Sequence, residues 1–394
     1  MDTEFAAVRY KNNTAGRWYA YLLTILPVIL VYKTPGLTVG LSTTLVALTL
    51  PLSIGILLKK GNRIRFSLLW PFLAYLIYAL FKSTPQDALL CIAIGIHICA
   101  ISKGVVDGSK LRRIYEKVST FAAICVIIQQ TTHLLLGFHI PLIWTGGLID
   151  GIKSYAQNIL TGIPLGDTMY RPCAFFLEPS HMSQYCIIGL GSVLYRTKPS
   201  IKRALLISFG MLLTTSGIGL VLTFTMWAWW WLFRDGRKNS RNTLFFTLSA
   251  IVIVLILSQT PIFQTTLSRI ISNPEDDYNA INGRLFWWDS YFGDGQISSF
   301  IFGKGTANLP EDYFTGIMTQ LFAYGIIGTG LFILFNVLLI IKSHALPRII
   351  ASFYLLLLVF SNLIGFIFMI SIIGSILTLI NDDKYMISNY SVNN

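Results

Sequence analysis

The sequence predicts an all-α polytopic membrane protein, and three observations support that fold class. Of the 394 residues, 54% are apolar or aromatic, and only 12% are charged, whereas a soluble domain has about 25% charged residues. The mean hydropathy is +0.64. The basic residues also occur in short clusters between apolar segments. This composition excludes an ordinary soluble enzyme, and it excludes a disordered chain, which needs high charge and low hydrophobicity.

A window matched to about 30 Å of hydrocarbon predicts about twelve transmembrane helices. Two closely spaced pairs, within 202–233 and 349–380, each fit either two spans or one long broken helix. We expect a single integral membrane domain over residues 1–394. The predicted spans are 18–32, 36–58, 66–81, 87–102, 116–137, 182–195, 202–215, 217–233, 244–258, 315–341, 349–365 and 366–380.

The net charge of +12 invites comparison with nucleic-acid-binding proteins, but the position of the charge decides against that class. With twelve spans, alternate connections place 23 of the 30 basic residues on one side of the membrane. Lys and Arg accumulate on the cytoplasmic side of membrane proteins, so both termini are predicted to be cytoplasmic, with no nucleic-acid partner. The seven basic residues of the opposite side are Lys33, Lys82, Lys153, Arg171, Arg269, Arg284 and Lys304.

Cysteine and histidine positions give no sign of a metal site. Four of the five cysteines lie in apolar segments, Cys173 lies in a long loop, and no spacing fits zinc ligation. We therefore expect neither a disulfide framework nor a metal. His97 is the one ionisable side chain well inside a predicted span, and we expect it to be hydrogen-bonded between helices.

Two external loops are much longer than the other connections, at approximately 138–181 and 259–314. Both contain Trp, Tyr, Phe and Gly at densities that argue against disorder. The cytoplasmic connections contain no Walker A, GxGxxG or kinase-like motif, so no nucleotide cofactor is expected. The external loops are therefore where chemistry is predicted.

The first external loop ends in charged and polar residues beside a predicted helix start. Pro179 and Ser180 predict that start, with Ser180 as the N-cap. Glu178 and His181 would then lie at the positive end of the helix dipole, and Arg171 is near enough to fold over them. These groups suit the handling of phosphate and a hydroxyl nucleophile. The alternative is a capped helix with an interfacial Arg–Glu pair.

The second external loop combines aromatic and basic side chains. If residues 284–292 are helical, one basic and three aromatic residues share a face, which suits sugar rings and phosphate. The alternative is an aromatic belt that anchors the loop in the membrane interface. The residues of that face are Arg284, Trp287, Trp288 and Tyr291.

Two shorter features of the same loop carry weaker signals. Gly303-Lys304-Gly305 predicts a tight turn that brings backbone N–H groups near an anion. The acidic run at 275–277 fits a solvated turn better than a divalent-cation site.

The end of the first loop also resembles a known family. Residues 171–180 read Arg-Pro-Cys-Ala-Phe-Phe-Leu-Glu-Pro-Ser, which resembles the R-P/x-G-F-F-x-E-P-S signature of bacterial O-antigen polymerases and the related ligases. Residues 214–217 and the Gly283-Arg284…Trp288 block with Gly303–Gly305 resemble two further motifs of that family. The hydropathy profile and the two large loops agree over nearly the whole chain.

The chain departs from that family pattern at two points. Ala174 stands where the family often has glycine. The ligases typically carry a histidine just before a Gly-Ile-Ile-Gly helix, and residues 309–315 before Gly325–Gly328 contain none. The missing histidine favours polymerase over ligase, and it leaves Glu178 or His181 as the general base.

The resemblance implies a GT-C-like, metal-independent glycosyltransferase in the bacterial inner membrane, with no cofactor. Donor and acceptor would be oligosaccharides linked to undecaprenyl diphosphate, joined in the periplasm beside membrane lipid. A regulator of polysaccharide chain length would be a partner. A ligase that transfers the polymer to lipid A core and a non-enzymatic flippase of lipid-linked sugars are the alternatives. The implied catalytic residues are Arg171, Glu178, His181 and Arg284. The implied substrate-binding residues are Tyr170, Ser180, Arg269, Trp287, Trp288, Tyr291 and Lys304.

Overall fold

The computed structural model describes most of the predicted spans as helices. The described residues are 14–34, 39–59, 63–137, 140, 142, 171–196, 198–233, 264, 297–309, 315–361 and 366–392. Within them the regular structure is helical, apart from an isolated bridge between Lys33 and Gly40. The helices are α1 (Thr14–Ile25), α2 (Leu41–Leu48), α3 (Leu50–Leu58), α4 (Phe66–Leu80), α5 (Pro85–Ser102), α6 (Gly108–Leu136), α7 (Pro179–Leu194), α8 (Ile201–Leu213), α9 (Gly217–Phe233), α10 (Ile297–Phe302), α11 (Gly316–Lys342), α12 (Ala345–Phe360) and α13 (Phe366–Val392). Short 3₁₀ turns lie at Ile29–Val31 and Thr306–Asn308.

The helices agree with the prediction of a polytopic, all-helical membrane protein. Among the described residues, four stretches are long and apolar enough to cross a bilayer: Leu41–Leu58, Pro85–Ser102, Gly108–Leu136 and Gly316–Lys342. Several shorter apolar helices accompany them. The predicted span at 244–258 lies outside the described residues. Both doubtful pairs contain two separate helices, α8 with α9 and α12 with α13.

The described residues fall into two compact units. The first contains Met1–Pro27, Leu41–Ile114 and Asn282–Asn394, and the second contains Val28–Gly40 and Tyr115–Ile281. In the first unit, α11 packs against α4, α10 and α12, while α13 packs against α1, α5 and α12. In the second unit, α7 packs against α8 and α9.

Polar side chains in the first unit are paired between helices. His97 on α5 is fully buried. Its Nε2 donates to the carbonyl oxygen of Val46 at 3.0 Å, which leaves Nδ1 as an acceptor, and the hydroxyls of Tyr19 and Ser53 both lie 2.8 Å from that nitrogen. This arrangement confirms the prediction that His97 is hydrogen-bonded between helices.

Lys103 satisfies the end of a helix in the same unit. Its ammonium donates to the carbonyl oxygens of Ile56 and Leu57 at 3.0 Å and of Lys59 at 2.8 Å. The last carbonyls of a helix have no partner within the helix and carry the negative end of its dipole. The buried Lys103 ammonium therefore caps the C-terminal end of α3.

A buried ion pair ties three elements of the second unit together. The Glu116 carboxylate on α6 is only 2% exposed. Arg196 donates to it through Nε at 2.8 Å and through a second guanidinium nitrogen, and Arg203 lies 3.6 Å away. A carboxylate at this depth needs such partners, because an unpaired buried charge is strongly destabilising.

The helix α11 is broken at Gly325, where φ is 63° and ψ is −169°. The break frees carbonyl oxygens one turn earlier, and residues 303–306, here called the strap, satisfy them. The Lys304 N–H donates to the Phe322 oxygen at 2.8 Å, and the Gly305 N–H donates to the Ala323 oxygen at 3.0 Å. The strap thus replaces the hydrogen bonds that the break removes from the helix.

Further contacts attach the strap to the segment between α4 and α5. The Thr306 N–H donates to the Lys82 oxygen at 2.8 Å, and the Lys82 ammonium donates to the Gly303 oxygen at 3.2 Å. The Asp87 carboxylate accepts from the hydroxyls of Thr84 and Thr306, both at 2.8 Å. The strap is therefore fixed on two sides.

We expect Gly325→Ala to destabilise the protein. The positive φ costs an L side chain about 1–2 kcal/mol, and the new Cβ would lie 2.3 Å from the Ile301 oxygen. The thermal unfolding midpoint of the purified protein in detergent should fall by roughly 5 °C or more. Gly330→Ala on the same helix is the matched control, since no atom lies within 4 Å of its added Cβ. Equal midpoints for the two variants would contradict the strap interpretation.

Candidate functional site

The helix α7 begins at Pro179, two residues earlier than an N-cap at Ser180 predicts. Proline is favoured at the first helical position, and it pushes the preceding residue into an extended conformation. Glu178 accordingly has φ −141° and ψ 153° and is the N-cap. The prediction of Ser180 as the N-cap was wrong; its hydroxyl instead donates to the Glu178 carboxylate at 2.9 Å.

A tight turn precedes this helix. The Phe176 N–H donates to the Cys173 oxygen at 3.0 Å. Ala174 has a φ of 55°, in the left-handed region that favours glycine. Cys173, Ala174 and Phe176 are all buried. The turn reverses the chain between Arg171 and Glu178.

Gln129 on α6 holds this turn in place. Its side-chain oxygen accepts from the Ala174 N–H at 2.8 Å, and its amide nitrogen donates to the Ala174 oxygen at 3.3 Å. The same nitrogen donates to the Ile140 oxygen at 3.0 Å. Gln129 therefore contacts both ends of the first external loop. Sequence reasoning missed it, although an amide pair at 129–130 within an apolar span was a usable signal.

Three of the predicted catalytic residues, Arg171, Glu178 and His181, flank this turn and are here called the Arg171 cluster. Arg171 and Glu178 both act electrostatically on the Cys173 thiol, and Glu178 acts on the His181 imidazole. Arg171, Glu178 and His181 are each partly exposed. The Arg171 Nε is buried and has no hydrogen-bond partner among the described residues. A guanidinium thus precedes the turn, and a carboxylate and an imidazole follow it at the start of α7.

Burial dominates the titration of Cys173 within this cluster. The thiol is 2% exposed, and desolvation raises its pKa to about 12, although the Arg171 guanidinium opposes that shift. A neutral thiol is neither a nucleophile nor a metal ligand at neutral pH. Cys173 is therefore a packing residue in this cluster.

The segment at 214–217 lies against the same end of α7. The hydroxyls of Ser183 and Thr214 are 3.5 Å apart, and the Ser183 hydroxyl donates to the Pro179 oxygen. Gly219 allows the close approach, because a Cβ there would lie 2.5 Å from the Ser183 hydroxyl. Two of the segments that carry the sequence resemblance are thus neighbours within the second unit.

The backbone of Gly303–Gly305 does not form the predicted anion-binding turn. The N–H groups of Gly303, Lys304 and Gly305 donate to the oxygens of Ser299, Phe322 and Ala323. These donors are occupied by the chain itself, so that interpretation was wrong. The Lys304 side chain remains a candidate ligand for an anion, with its ammonium 5.5 Å from the centre of the Phe322 ring.

The remaining predicted site residues lie outside the described residues, as does the acidic run at 275–277. Their proximity to the Arg171 cluster remains a prediction. They are Tyr170, Arg269, Arg284, Trp287, Trp288 and Tyr291.

The cluster has the chemical properties of an anion site with an acid–base pair. The N-terminus of a helix and a guanidinium both favour a phosphate-like group. A carboxylate and an imidazole exchange protons with a hydroxyl group. Among the described residues, no group of three or more His, Cys, Asp or Glu side chains is arranged to hold a metal ion.

Comparisons with known proteins give no match. No protein-family model matches the chain, and neither a curated protein nor a solved structure is similar to it.

We expect native Cys173 to resist a water-soluble maleimide. With a pKa of about 12, roughly one thiol in 10⁴ is ionised at pH 8, and the sulfur is buried. Mass spectrometry of the peptide that contains Cys173 should show labelling only after denaturation. An Asn308→Cys variant, whose side chain is exposed, is the positive control under native conditions. Rapid labelling of native Cys173 would contradict the buried turn.

Proposed function

We propose that this protein is an O-antigen polymerase of the bacterial inner membrane. It joins oligosaccharide repeat units linked to undecaprenyl diphosphate at the periplasmic face, and undecaprenyl diphosphate is released. The observation that carries the proposal is the cluster of Arg171, Glu178 and His181 at the start of α7. Arg171 and Glu178 belong to the segment that resembles the polymerase signature, and His181 follows that segment directly.

The proposed reaction is a glycosyl transfer between two lipid-linked saccharides. A terminal sugar hydroxyl of the acceptor attacks the anomeric carbon of the donor, and the bond from that carbon to the diphosphate oxygen breaks. The hydroxyl proton passes to Glu178 or His181, and the electron pair leaves with the diphosphate. A positioned base contributes about 10²–10⁴-fold to such a step.

Arginine side chains would stabilise the leaving group. Negative charge grows on the diphosphate as the glycosidic bond breaks, and a fixed guanidinium in a partly water-excluded site is worth several kcal/mol there. We assign this role to Arg171, which precedes the turn leading into α7, and to Arg284, with Arg269 or Lys304 in support. Because the donor is already activated, the reaction needs neither a nucleotide nor a metal.

Recognition of sugar and lipid completes the proposal. Tyr170, Ser180, Trp287, Trp288 and Tyr291 would contact the saccharides, since aromatic faces pack on sugar C–H groups. Membrane lipid surrounds the helices, and a regulator of chain length is the proposed protein partner. The proposed arrangement is GT-C-like, with about twelve spans and both termini in the cytoplasm.

Contacts between turns support the proposed sidedness. Within each unit, several contacts join two segments that the charge pattern assigns to the same side of the membrane. Lys82 with Thr306 and Gly316 with Ser361 join predicted periplasmic segments. Predicted cytoplasmic segments are joined by Gly16 with Asp107, Lys59 with Lys103, Arg112 with Asp382, and Glu116 with Arg196.

The lipopolysaccharide ladder of a strain that lacks this gene tests the proposal. A polymerase deficiency leaves lipid A core that carries a single repeat unit, because ligation still works. Bare core with accumulated polymer would identify a ligase instead. A flippase deficiency would give bare core with repeat units trapped on the cytoplasmic side. An unchanged ladder would exclude all three functions.

In that strain, Arg171→Lys and Arg284→Lys should each fail to restore the ladder, although both variants reach the membrane. A guanidinium binds two diphosphate oxygens with a planar fork, whereas an ammonium is a point charge. We expect each to lose at least about 2 kcal/mol of transition-state stabilisation.

Lys153→Ala is the control, because Lys153 is basic and predicted to be external but lies outside the family-like motifs. It should restore the ladder. If the arginines only anchored loops at the interface, lysine would replace them without loss. Normal ladders from both lysine variants would therefore remove the assigned role.

A further inference from the structure

Gln129 makes three hydrogen bonds to the backbone of the first external loop, and no sequence motif points to it. Two of them form a cyclic pair with Ala174, and the third reaches Ile140, near the other end of the loop. Gln129 is 3% exposed on α6. An amide in an apolar span is costly unless its donors and acceptors are matched, and here the matching groups belong to the loop.

The two hydrogen bonds of the cyclic pair hold Ala174, whose backbone conformation is the least favourable one in the turn. Ala174 has a φ of 55°, which an alanine adopts only when its surroundings impose it. Gln129 engages both the N–H and the C=O of this residue, so it fixes the direction of the peptide on each side of Ala174. Arg171 lies three residues before that point and Glu178 four residues after it.

We propose that Gln129 is a positioning residue, which holds Ala174 in its left-handed conformation and thereby fixes where Arg171 and Glu178 lie on the two sides of the turn that leads into α7. This inference rests on the proposed function where it concerns activity. The attachment of the turn is a separate matter, and it is measurable without any activity.

The attachment is tested by the native Cys173 thiol, which precedes Ala174. Gln129→Met keeps the length and volume of the side chain but removes all three hydrogen bonds. In this variant, a water-soluble maleimide should label native Cys173 at least about ten-fold faster. Losing even one of these buried hydrogen bonds makes local opening of the turn easier by about that factor. Gln130→Met is the matched control, because Gln130 is 2% exposed and its side-chain oxygen has no partner among the described residues. It should leave the labelling unchanged.

The positioning role is tested by two rescues on the lipopolysaccharide ladder. Gln129→Met should shorten or abolish the ladder, and Gln129→Glu should retain part of it, because a carboxyl oxygen still accepts from the Ala174 N–H. The double variant Gln129→Met with Ala174→Gly should recover part of the ladder, since glycine adopts a φ of 55° without being held. A loss caused by general misfolding would not respond to Ala174→Gly.

The outcomes separate this inference from the proposed function. Faster Cys173 labelling, a lost ladder and rescue by Ala174→Gly support it. Unchanged labelling in Gln129→Met overturns it, whatever the ladder shows, and so does a normal ladder with a freely labelled Cys173. If deletion of the gene leaves the ladder unchanged, the proposed function fails and the link to activity fails with it. The labelling still decides whether Gln129 holds the turn.

Discussion

Backbone hydrogen bonding within a bilayer is the constraint on which the rest of this structure depends. Water is excluded from the hydrocarbon core and from the buried interior of the protein, so each buried N–H or C=O left open by a helix end or a break must find a partner in the chain. Lys103 supplies that partner at the end of α3, the strap supplies it at Gly325, and Gln129 supplies it at Ala174. The connections are consequently attached where the backbone would otherwise be unsatisfied. The candidate site is built on one of these attachments.

Hydropathy predicted the helices because a helix pairs the backbone N–H and C=O groups of a long apolar segment within that segment. It did not decide whether 202–233 is one helix or two. The division comes from Thr215, whose φ of 52° turns the chain between α8 and α9, and which hydropathy cannot detect. The start of α7 lies two residues earlier than predicted, for a local reason. Proline at the first helical position transfers the cap to Glu178, whereas the prediction weighed only the preference of serine for caps.

The sequence predicted those residues of the candidate site that are close to one another along the chain. Arg171, Glu178 and His181 lie within one turn and one helix start, so their clustering follows from local structure. Gln129 belongs to another helix, and only the tertiary fold brings it to Ala174. The occupied N–H groups of Gly303–Gly305 escaped prediction for the same reason. Their acceptors exist only because α11 is broken, and a break at Gly325 requires a partner segment that no local pattern specifies.

The break at Gly325 also determines how firmly the end of the second external loop is attached. In an unbroken helix, the oxygens of Phe322 and Ala323 would accept from Ile326 and Ile327, four residues further along. In the broken helix they accept from Lys304 and Gly305 instead. Glycine adopts the backbone angles of both arrangements with little steric cost. If the strap detaches, the oxygens of Phe322 and Ala323 can exchange their hydrogen bonds to the strap for hydrogen bonds within the helix. The loop therefore separates from the helix at the free-energy cost of that exchange, which is smaller than the cost of losing the hydrogen bonds outright.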